Sequence, residues 1–152
     1  MLYLTLLVLG ATAGLRAGVP LLALAIGAYL NWIDLSGTWA AFVGHIITVI
    51  VLLVLAVLEM VGDQRPRAGS RKAPPSLAVR SVSGMLSGLI LGWPTGNWIA
   101  GIILGLIGAL IGTFGGFEAR RMLASAFGRD RPAALIEDLV AVVLALGAVW
   151  LA

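Results

Sequence analysis

Six charged residues of this chain stand in or beside long apolar stretches, where a charge is costly. Arg16 lies within a run of Leu, Ala and Gly residues. Placing an arginine at the centre of a membrane helix costs roughly 2.5–3.5 kcal/mol on insertion scales. Such a residue can pair with a carboxylate and lock two helices, or it can bind an anionic group of a substrate. We predict that six residues form a substrate- or ion-binding site: Arg16, Glu59, Asp63, Arg80, Glu137 and Asp138.

The four carboxylates of this set have one chemical use and two structural ones. Glu59 and Asp63 are one helical turn apart, and Glu137 and Asp138 are adjacent. Carboxylate oxygens are hard ligands for divalent cations, so these four residues are the candidate metal ligands; the sequence indicates no other cofactor. The same residues could pair with Arg80 and the arginines of the loops, or cap the start of a helix. We interpret Glu59, which lies further inside its apolar run, as functional.

The composition predicts that lipid is the main solvent of this protein. Of the 152 residues, 61% are hydrophobic and 11% are charged, and the mean hydropathy is +1.07. So few charges could not cover the surface of a soluble protein of this size. Cysteine is absent and there is one histidine, which excludes disulfides, thiolate catalysis and Cys- or His-rich metal centres. The net charge of +3 does not indicate a nucleic-acid partner, because the cations flank apolar segments and form no known motif.

The apolar stretches predict an all-α membrane protein, a single domain with about five transmembrane helices. The first stretch would be about 45 Å long as one helix, whereas the hydrocarbon core is about 30 Å thick. Gly14, Gly18 and Pro20 fall within it, so we expect this helix to be kinked, broken or re-entrant at Gly14–Pro20. No cation precedes its apolar run, so we do not interpret it as a cleaved signal peptide. The predicted spans are residues 1–30, 40–62, 77–93, 98–117 and 133–152.

The distribution of cations predicts the orientation of the spans. Nine of the ten Lys and Arg residues lie within residues 65–80 and 120–131. Because cytoplasmic loops carry an excess of Lys and Arg, we expect the loops at 63–76 and 119–132 to face the cytoplasm. If the first segment crosses once, the N-terminus is inside and the C-terminus outside. A re-entrant first segment would move the N-terminus to the other side.

Polar and small residues predict which helix faces pack together. An α-helix rotates by about 100° per residue, and on this geometry the polar residues of three spans each fall on one face of their helix. We expect each of these faces to point into the bundle. Spaced glycines let helix backbones approach closely, either within one subunit or across a dimer interface. The polar stripes are Thr5, Thr12 and Arg16; His45, Thr48, Glu59 and Asp63; and Arg80, Ser83 and Ser87; the glycine ridges are Gly108, Gly112 and Gly116, and Gly84 and Gly88.

Four ordered motifs resemble a bacterial membrane family known as domain of unknown function 4126. Residues 14–17, Gly-Leu-Arg-Ala, with Pro-Leu-Leu-Ala-Leu at 20–24, resemble its opening motif, and residues 58–66 resemble a second motif in which a Glu precedes Asp-Lys and a Pro. Arg80 with Ser83-Gly84 matches a following step, and residues 131–142 resemble the last motif, which ends in Glu-Asp. Gln64 stands where the family usually has Lys. The resemblance implies a multi-pass protein of the bacterial inner membrane, supplies no activity and singles out the same six charged residues.

Three functions fit these residues. We favour a transporter or channel-like protein, a homo-oligomer in the lipid bilayer, that moves a small ion, a solute or an anionic lipid, because broken helices build the binding sites of many transporters. The first alternative is an intramembrane enzyme in which the carboxylates hold Mg²⁺ and Arg80 or Arg16 clamps a lipid phosphate. The second is a structural or assembly factor in which the charges lock helices together. Of these, we expect a protein that is not an enzyme.

Overall fold

The chain folds into helices throughout the part that the structure, a computed structural model, describes. These residues are 1–63 and 73–152, and they contain no strand. The all-α prediction is therefore confirmed. The helices are α1 (Leu2–Leu15), α2 (Gly18–Tyr29), a short 3-10 helix (Ala41–Gly44), α3 (Ile46–Asp63), α4 (Pro74–Gly92), α5 (Trp98–Phe127) and α6 (Asp130–Trp150).

Three of the described helices are long and apolar enough to cross a membrane. They are α3, α5 and α6, whose most apolar segments have mean hydropathies of 2.5, 2.1 and 2.1. Many of their large apolar side chains are exposed on the surface of the protein, where only lipid can solvate them favourably. The chain is an integral membrane protein.

Helix α5 packs against α1, α4 and α6. Its glycines make the close contacts: the backbone of Gly105 touches Gly10 of α1 on one side and Gly84 of α4 on the other. Gly108 and Gly112 lie against the α1 backbone between Leu7 and Ala11. The sequence left open whether the Gly108, Gly112 and Gly116 ridge packs within one subunit or across a dimer interface. At Gly108 and Gly112 the contacts lie within one subunit.

The first predicted span is two short helices that form a re-entrant pair. Helix α1 begins beside Asn97, where the Tyr3 hydroxyl donates a hydrogen bond to the Asn97 side chain at 3.1 Å. It then runs parallel to α5, so that Gly14 lies against Thr113. Fourteen residues at 1.5 Å each carry the chain about 20 Å into the bundle.

Helix α2 returns toward the end where α1 began. Gly18, at its start, lies against Ala56 of α3, whereas Gly27, near its end, lies against Val149 of α6. Both chain termini therefore lie at one end of the bundle, which matches the re-entrant alternative for the first segment. We call this the aromatic end, because it carries Trp32, Trp39, Trp93 and Trp98, and we call the opposite end, with Arg120, Arg121, Arg129 and Arg131, the basic end.

The break between α1 and α2 falls at Arg16 and Ala17, inside the predicted interval. Arg16 is extended, with φ −145° and ψ 114°, and its N–H donates the last hydrogen bond of α1 to Thr12 O at 2.8 Å. Pro20 lies in the first turn of α2, where a missing N–H removes no helical hydrogen bond. The local sequence thus favours a new helix start at Gly18.

Two boundaries differ from the predicted ones. The second basic segment was expected to be a loop over 119–132, but α5 continues to Phe127 and ends at Gly128, whose φ is 67°. With 30 residues and a length of about 45 Å, α5 projects beyond the hydrocarbon core. The predicted span at 40–62 begins only at Ile46, because the 3-10 helix precedes it. Most of the predicted loop 63–76 lies outside the described residues.

The three polar stripes do not all point into the bundle. Thr5, Thr12 and Arg16 are buried, as are Arg80, Ser83 and Ser87, so two of the predictions are confirmed. In the third stripe, Glu59 and Asp63 face the bundle and Thr48 is half-buried, but His45 is exposed. Helix α3 lies at the periphery, with Ala56 as its buried residue, and only Val49 and Leu52 of its first two turns pack against the core.

We predict that Gly105→Ala destabilises the protein by about 1–3 kcal/mol or more, the usual cost of overpacking. A methyl group on Gly105 would overlap the carbonyl oxygen of Gly84 on α4. Gly115→Ala is the matched control, because an added methyl group there meets no atom within 4 Å. Thermal unfolding of the detergent-solubilised protein, followed by circular dichroism, measures the difference. Equal unfolding temperatures for the two variants would contradict the packing.

Candidate functional site

The structure brings all six predicted charged residues together around the break between α1 and α2. We call residues 14–18, with the break at their centre, the re-entrant tip. Helices α3, α4 and α6 each place charged side chains against it. The tip lies toward the basic end of the bundle, about two thirds of the way along α6 from its aromatic end.

Arg16 is fully buried and is held by two carboxylates from different helices. Its Nε donates a hydrogen bond to Asp138 Oδ1 of α6 at 2.5 Å, and its Nη1 pairs with Asp63 of α3. Its third nitrogen, Nη2, has no hydrogen-bond partner among the described residues. A buried arginine of this kind needs such partners, because the desolvation of its charge is costly. Arg16 therefore ties the tip to α3 and α6.

Glu59 and Arg80 satisfy the two helix ends that the break exposes. The Glu59 carboxylate accepts hydrogen bonds from the N–H groups of Ala17 at 2.8 Å and Gly18 at 2.7 Å, at the start of α2. Arg80 Nη1 donates to Gly14 O at 2.7 Å and Leu15 O at 2.6 Å, at the end of α1. Each charge has the sign that the helix dipole favours at that position.

Two hydroxyl groups complete the hydrogen bonding of the tip. Ser83 Oγ of α4 donates to Ala17 O, and Thr113 Oγ of α5 donates to Gly14 O at 3.4 Å. Ser83 belongs to a stripe that the sequence indicated, whereas Thr113 was not singled out. The backbone of the tip thus has partners from α3, α4 and α5, which hydrocarbon could not supply.

Arg120 is a member of the network that the sequence did not single out from the other loop arginines. Its Nη1 lies 2.6 Å from Asp63 Oδ2 and 3.5 Å from Glu137 Oε2, and its Nη2 lies 2.5 Å from Asp130 Oδ2. Its position among the cations of residues 119–132 predicted a cytoplasmic loop, but the extension of α5 carries it to the network at the tip. A usable signal was its spacing of seven residues from Thr113, because residues two turns apart lie on one helix face.

The carboxylates are arranged for pairing with arginine and not for sharing a metal ion. Among residues 1–63 and 73–152, no group of three or more His, Asp or Glu side chains is placed to hold one. Asp63 pairs with Arg16 and Arg120, Asp138 with Arg16, and Glu137 with Arg120. The expectation of a divalent cation therefore finds no support in the geometry of these residues.

A groove between α3 and α4 leads to the tip. It has a volume of about 1030 Å³, at the upper end of the roughly 300–1,000 Å³ of small-molecule sites. Its floor contains Ala17 and Gly18. The walls are mostly apolar; their members include Leu52, Leu55, Val82 and Leu86, and the polar lining residues are Glu59, Asp63, Ser76, Arg80 and Ser83.

The six predicted residues differ in their access to this groove. Glu59, Asp63 and Arg80 line it, whereas Arg16, Glu137 and Asp138 do not. The Glu59 side chain is 25% exposed, compared with 6% for Arg80, which lies 3.9 Å from it. The accessible charge nearest the tip is therefore the Glu59 carboxylate.

The whole chain matches one protein family. The family model for a domain of unknown function, DUF4126, covers residues 3–152. The chain belongs to this family. No curated protein and no solved structure matches it. The DUF4126 match includes the re-entrant tip and all six charged residues, so the network described above lies inside the family domain.

We predict that Arg16 and Asp138 are energetically coupled. Arg16→Met alone leaves Asp138 buried without its arginine, and removing one partner of a buried pair costs about 3–5 kcal/mol. Adding Asp138→Leu removes that unpaired charge, so the double variant should be more stable than the sum of the single changes predicts. The free energies of unfolding in denaturant, measured for all four proteins, give the coupling.

The exposed pair of Arg121 and Glu118, 2.5 Å apart, provides the control cycle. Exposed pairs contribute about 0–1 kcal/mol, so coupling there should be small. Additive effects of Arg16→Met and Asp138→Leu would show that the buried contact does not tie the tip to α6.

Proposed function

We propose that this protein is a small membrane transporter or channel-like protein whose substrate path runs through the groove between α3 and α4. The observation that carries the proposal is the position of the re-entrant tip: a broken helix lies at membrane depth at the floor of a groove that reaches charged residues. In many transporters the ends of broken helices form the binding sites for substrates and coupling ions.

The six charged residues then divide into two roles. Arg16, Glu137 and Asp138, together with Arg120, hold the tip in place through ion pairs away from the groove. Glu59, Arg80 and Asp63 line the groove and are the residues that contact a substrate or ion. The tip is thus the barrier at the floor of the path, and movement of Glu59 or Arg80 away from the helix ends would open it.

A structural or assembly role is the second candidate, and one observation favours it. Arg16 is paired with two carboxylates, as expected for a residue that locks helices. Under this function the whole network stabilises the fold and no solute crosses. The two candidates differ in the role of Glu59. Transport requires Glu59 to contact a substrate or ion, whereas a purely structural role requires only that it cap the start of α2.

The distribution of charge supports an orientation with the basic end in the cytoplasm. Cytoplasmic loops carry the excess of Lys and Arg, and the basic end contains Arg121, Arg129 and Arg131. The re-entrant first segment then puts the N-terminus outside, with the C-terminus. We place the protein in the bacterial inner membrane and retain the homo-oligomer as a proposal, because the bundle of one subunit is thin and leaves many large apolar side chains exposed.

We predict measurable flux in reconstituted vesicles and its loss in Glu59→Gln. Vesicles containing the protein are compared with protein-free vesicles for proton and K⁺ flux and for the transfer of fluorescent lipid between leaflets. Loss of an interaction worth about 1.4 kcal/mol lowers the rate about tenfold, which is the change expected in Glu59→Gln. Glu118→Gln is the control, because Glu118 pairs with Arg121 on the exposed surface of α5.

The outcomes of this experiment separate the two candidates. Flux that depends on Glu59 and is indifferent to Glu118→Gln supports transport. Vesicles that contain folded protein and show no flux of protons, K⁺ or lipid would overturn transport in favour of the structural role.

We also predict that both termini are labelled from outside the cell. The chain contains no cysteine, so single-cysteine variants report one position each. A membrane-impermeant maleimide added to intact cells should modify Tyr3→Cys and Ala152→Cys, whereas Gly128→Cys, at the basic end, should react only after the membrane is opened. Labelling of Gly128→Cys in intact cells would reverse the orientation, and labelling of the termini from opposite sides would contradict the re-entrant pair.

A further inference from the structure

We infer that the groove between α3 and α4 binds one membrane lipid with an amine-bearing headgroup, its ammonium group against Glu59 and an acyl chain along the apolar walls. This inference rests on the proposed function and names the substrate class for the same site. Three features of the groove carry it: its apolar walls, its opening to the lipid and the sign of its accessible charge.

The walls of the groove are made of side chains that lipid solvates. Leu55 of α3 is 53% exposed and Val82 of α4 is 47% exposed, although both line the groove. Helix α3 packs against α2 and the 3-10 helix. Its residues Leu52, Leu55 and Glu59 line the groove opposite α4. The groove is therefore open sideways to the hydrocarbon, and a ligand with an apolar chain can enter it from the bilayer.

The polar end of the groove selects the sign of the headgroup charge. Each oxygen of Glu59 accepts one backbone hydrogen bond, and a carboxylate has about four acceptor positions, so some remain for a ligand. Arg80 is 6% exposed, donates to Gly14 O, Leu15 O and Ser76 Oγ, and its Nη2 lies 3.9 Å from Glu59 Oε1, which is beyond hydrogen-bond distance, so the more exposed partner of this ion pair is Glu59. The charge that a ligand meets is thus negative, and a cationic group complements it.

A lipid fits this combination better than a free amine. A small soluble amine would leave the space beside Leu52, Leu55, Val82 and Leu86 without apolar contact. A lipid with an ammonium headgroup satisfies the carboxylate and at the same time packs its acyl chain against the apolar walls. The distance from Leu52 to Glu59 along α3 is about 10 Å, so the chain extends from the headgroup toward the middle of the bilayer.

The test is lipid retention by the full chain, measured by native mass spectrometry. The protein is purified in detergent with an equimolar mixture of an ethanolamine phospholipid and a glycerol phospholipid that have the same acyl chains. We expect one ethanolamine lipid per subunit. In Glu59→Gln the preference for ethanolamine over glycerol headgroups should fall about tenfold, which corresponds to about 1.4 kcal/mol.

A pair of tryptophan variants tests the position of the acyl chain. Leu55→Trp puts a larger side chain into the groove and should abolish retention of both lipids. Val57→Trp is the matched control: Val57 is 48% exposed, does not line the groove and lies on the opposite side of α3, about 200° away. Both positions are exposed, so neither substitution disturbs the core.

Several results would overturn the inference. They are equal retention of the two lipids by the unchanged protein, a headgroup preference unaffected by Glu59→Gln, and equal effects of the two tryptophan variants. A dimer that Leu55→Trp dissociates would show that a second copy of the chain occupies the groove instead. Flux without selective lipid retention would refute this inference alone, whereas selective retention without flux would refute the transport function alone.

Discussion

The structure depends on the need to satisfy backbone hydrogen bonds where a helix breaks inside the membrane. Hydrocarbon offers no donors or acceptors, so the carbonyls that end α1 and the N–H groups that begin α2 need partners from the protein. Arg80 and Glu59 supply them, with opposite charges at the two helix ends. Without these two side chains the N–H groups of Ala17 and Gly18 and the carbonyl of Leu15 would lose their side-chain partners at the break.

The remaining charges follow from this arrangement. Arg16 is the residue at which α1 ends, so its guanidinium is carried to the same depth as the break and needs carboxylates there. Asp63 and Asp138 provide them, and Arg120 in turn stabilises Asp63. Close approach of α1 and α5 at Gly10 and Gly105 makes the network compact, because larger side chains would hold the helices apart.

This chemistry shifts the functional interpretation from Arg16 to Glu59. The arginine that stood out in the sequence is enclosed by its carboxylates and does not reach the groove. Glu59 has a double position: it caps α2 and is partly exposed at the groove floor. A ligand that competes for this carboxylate would act directly on the hydrogen bonds that hold the re-entrant tip, which links binding to movement of the barrier.

The sequence by itself determined the membrane class, the all-helical fold and the position of the break. It did so because mean hydropathy, helical periodicity and the effects of Gly and Pro are local properties that a short window contains. The six charged residues were also singled out from the sequence, since the cost of a charge in an apolar run depends only on the run; their role in binding stays a prediction.

Tertiary structure decided how those residues combine. Gly14 to Pro20 predicted a break, but not whether the chain continues or turns back there; that depends on partners 40 to 120 residues away, such as Glu59 and Asp138. Arg120 was assigned to topology because nothing local separates it from Arg121, and only the continuation of α5 brings it to Asp63. Pairing across the bundle is a property of how helices pack. Six members of the network could therefore be named from the sequence, but which residue pairs with which could not.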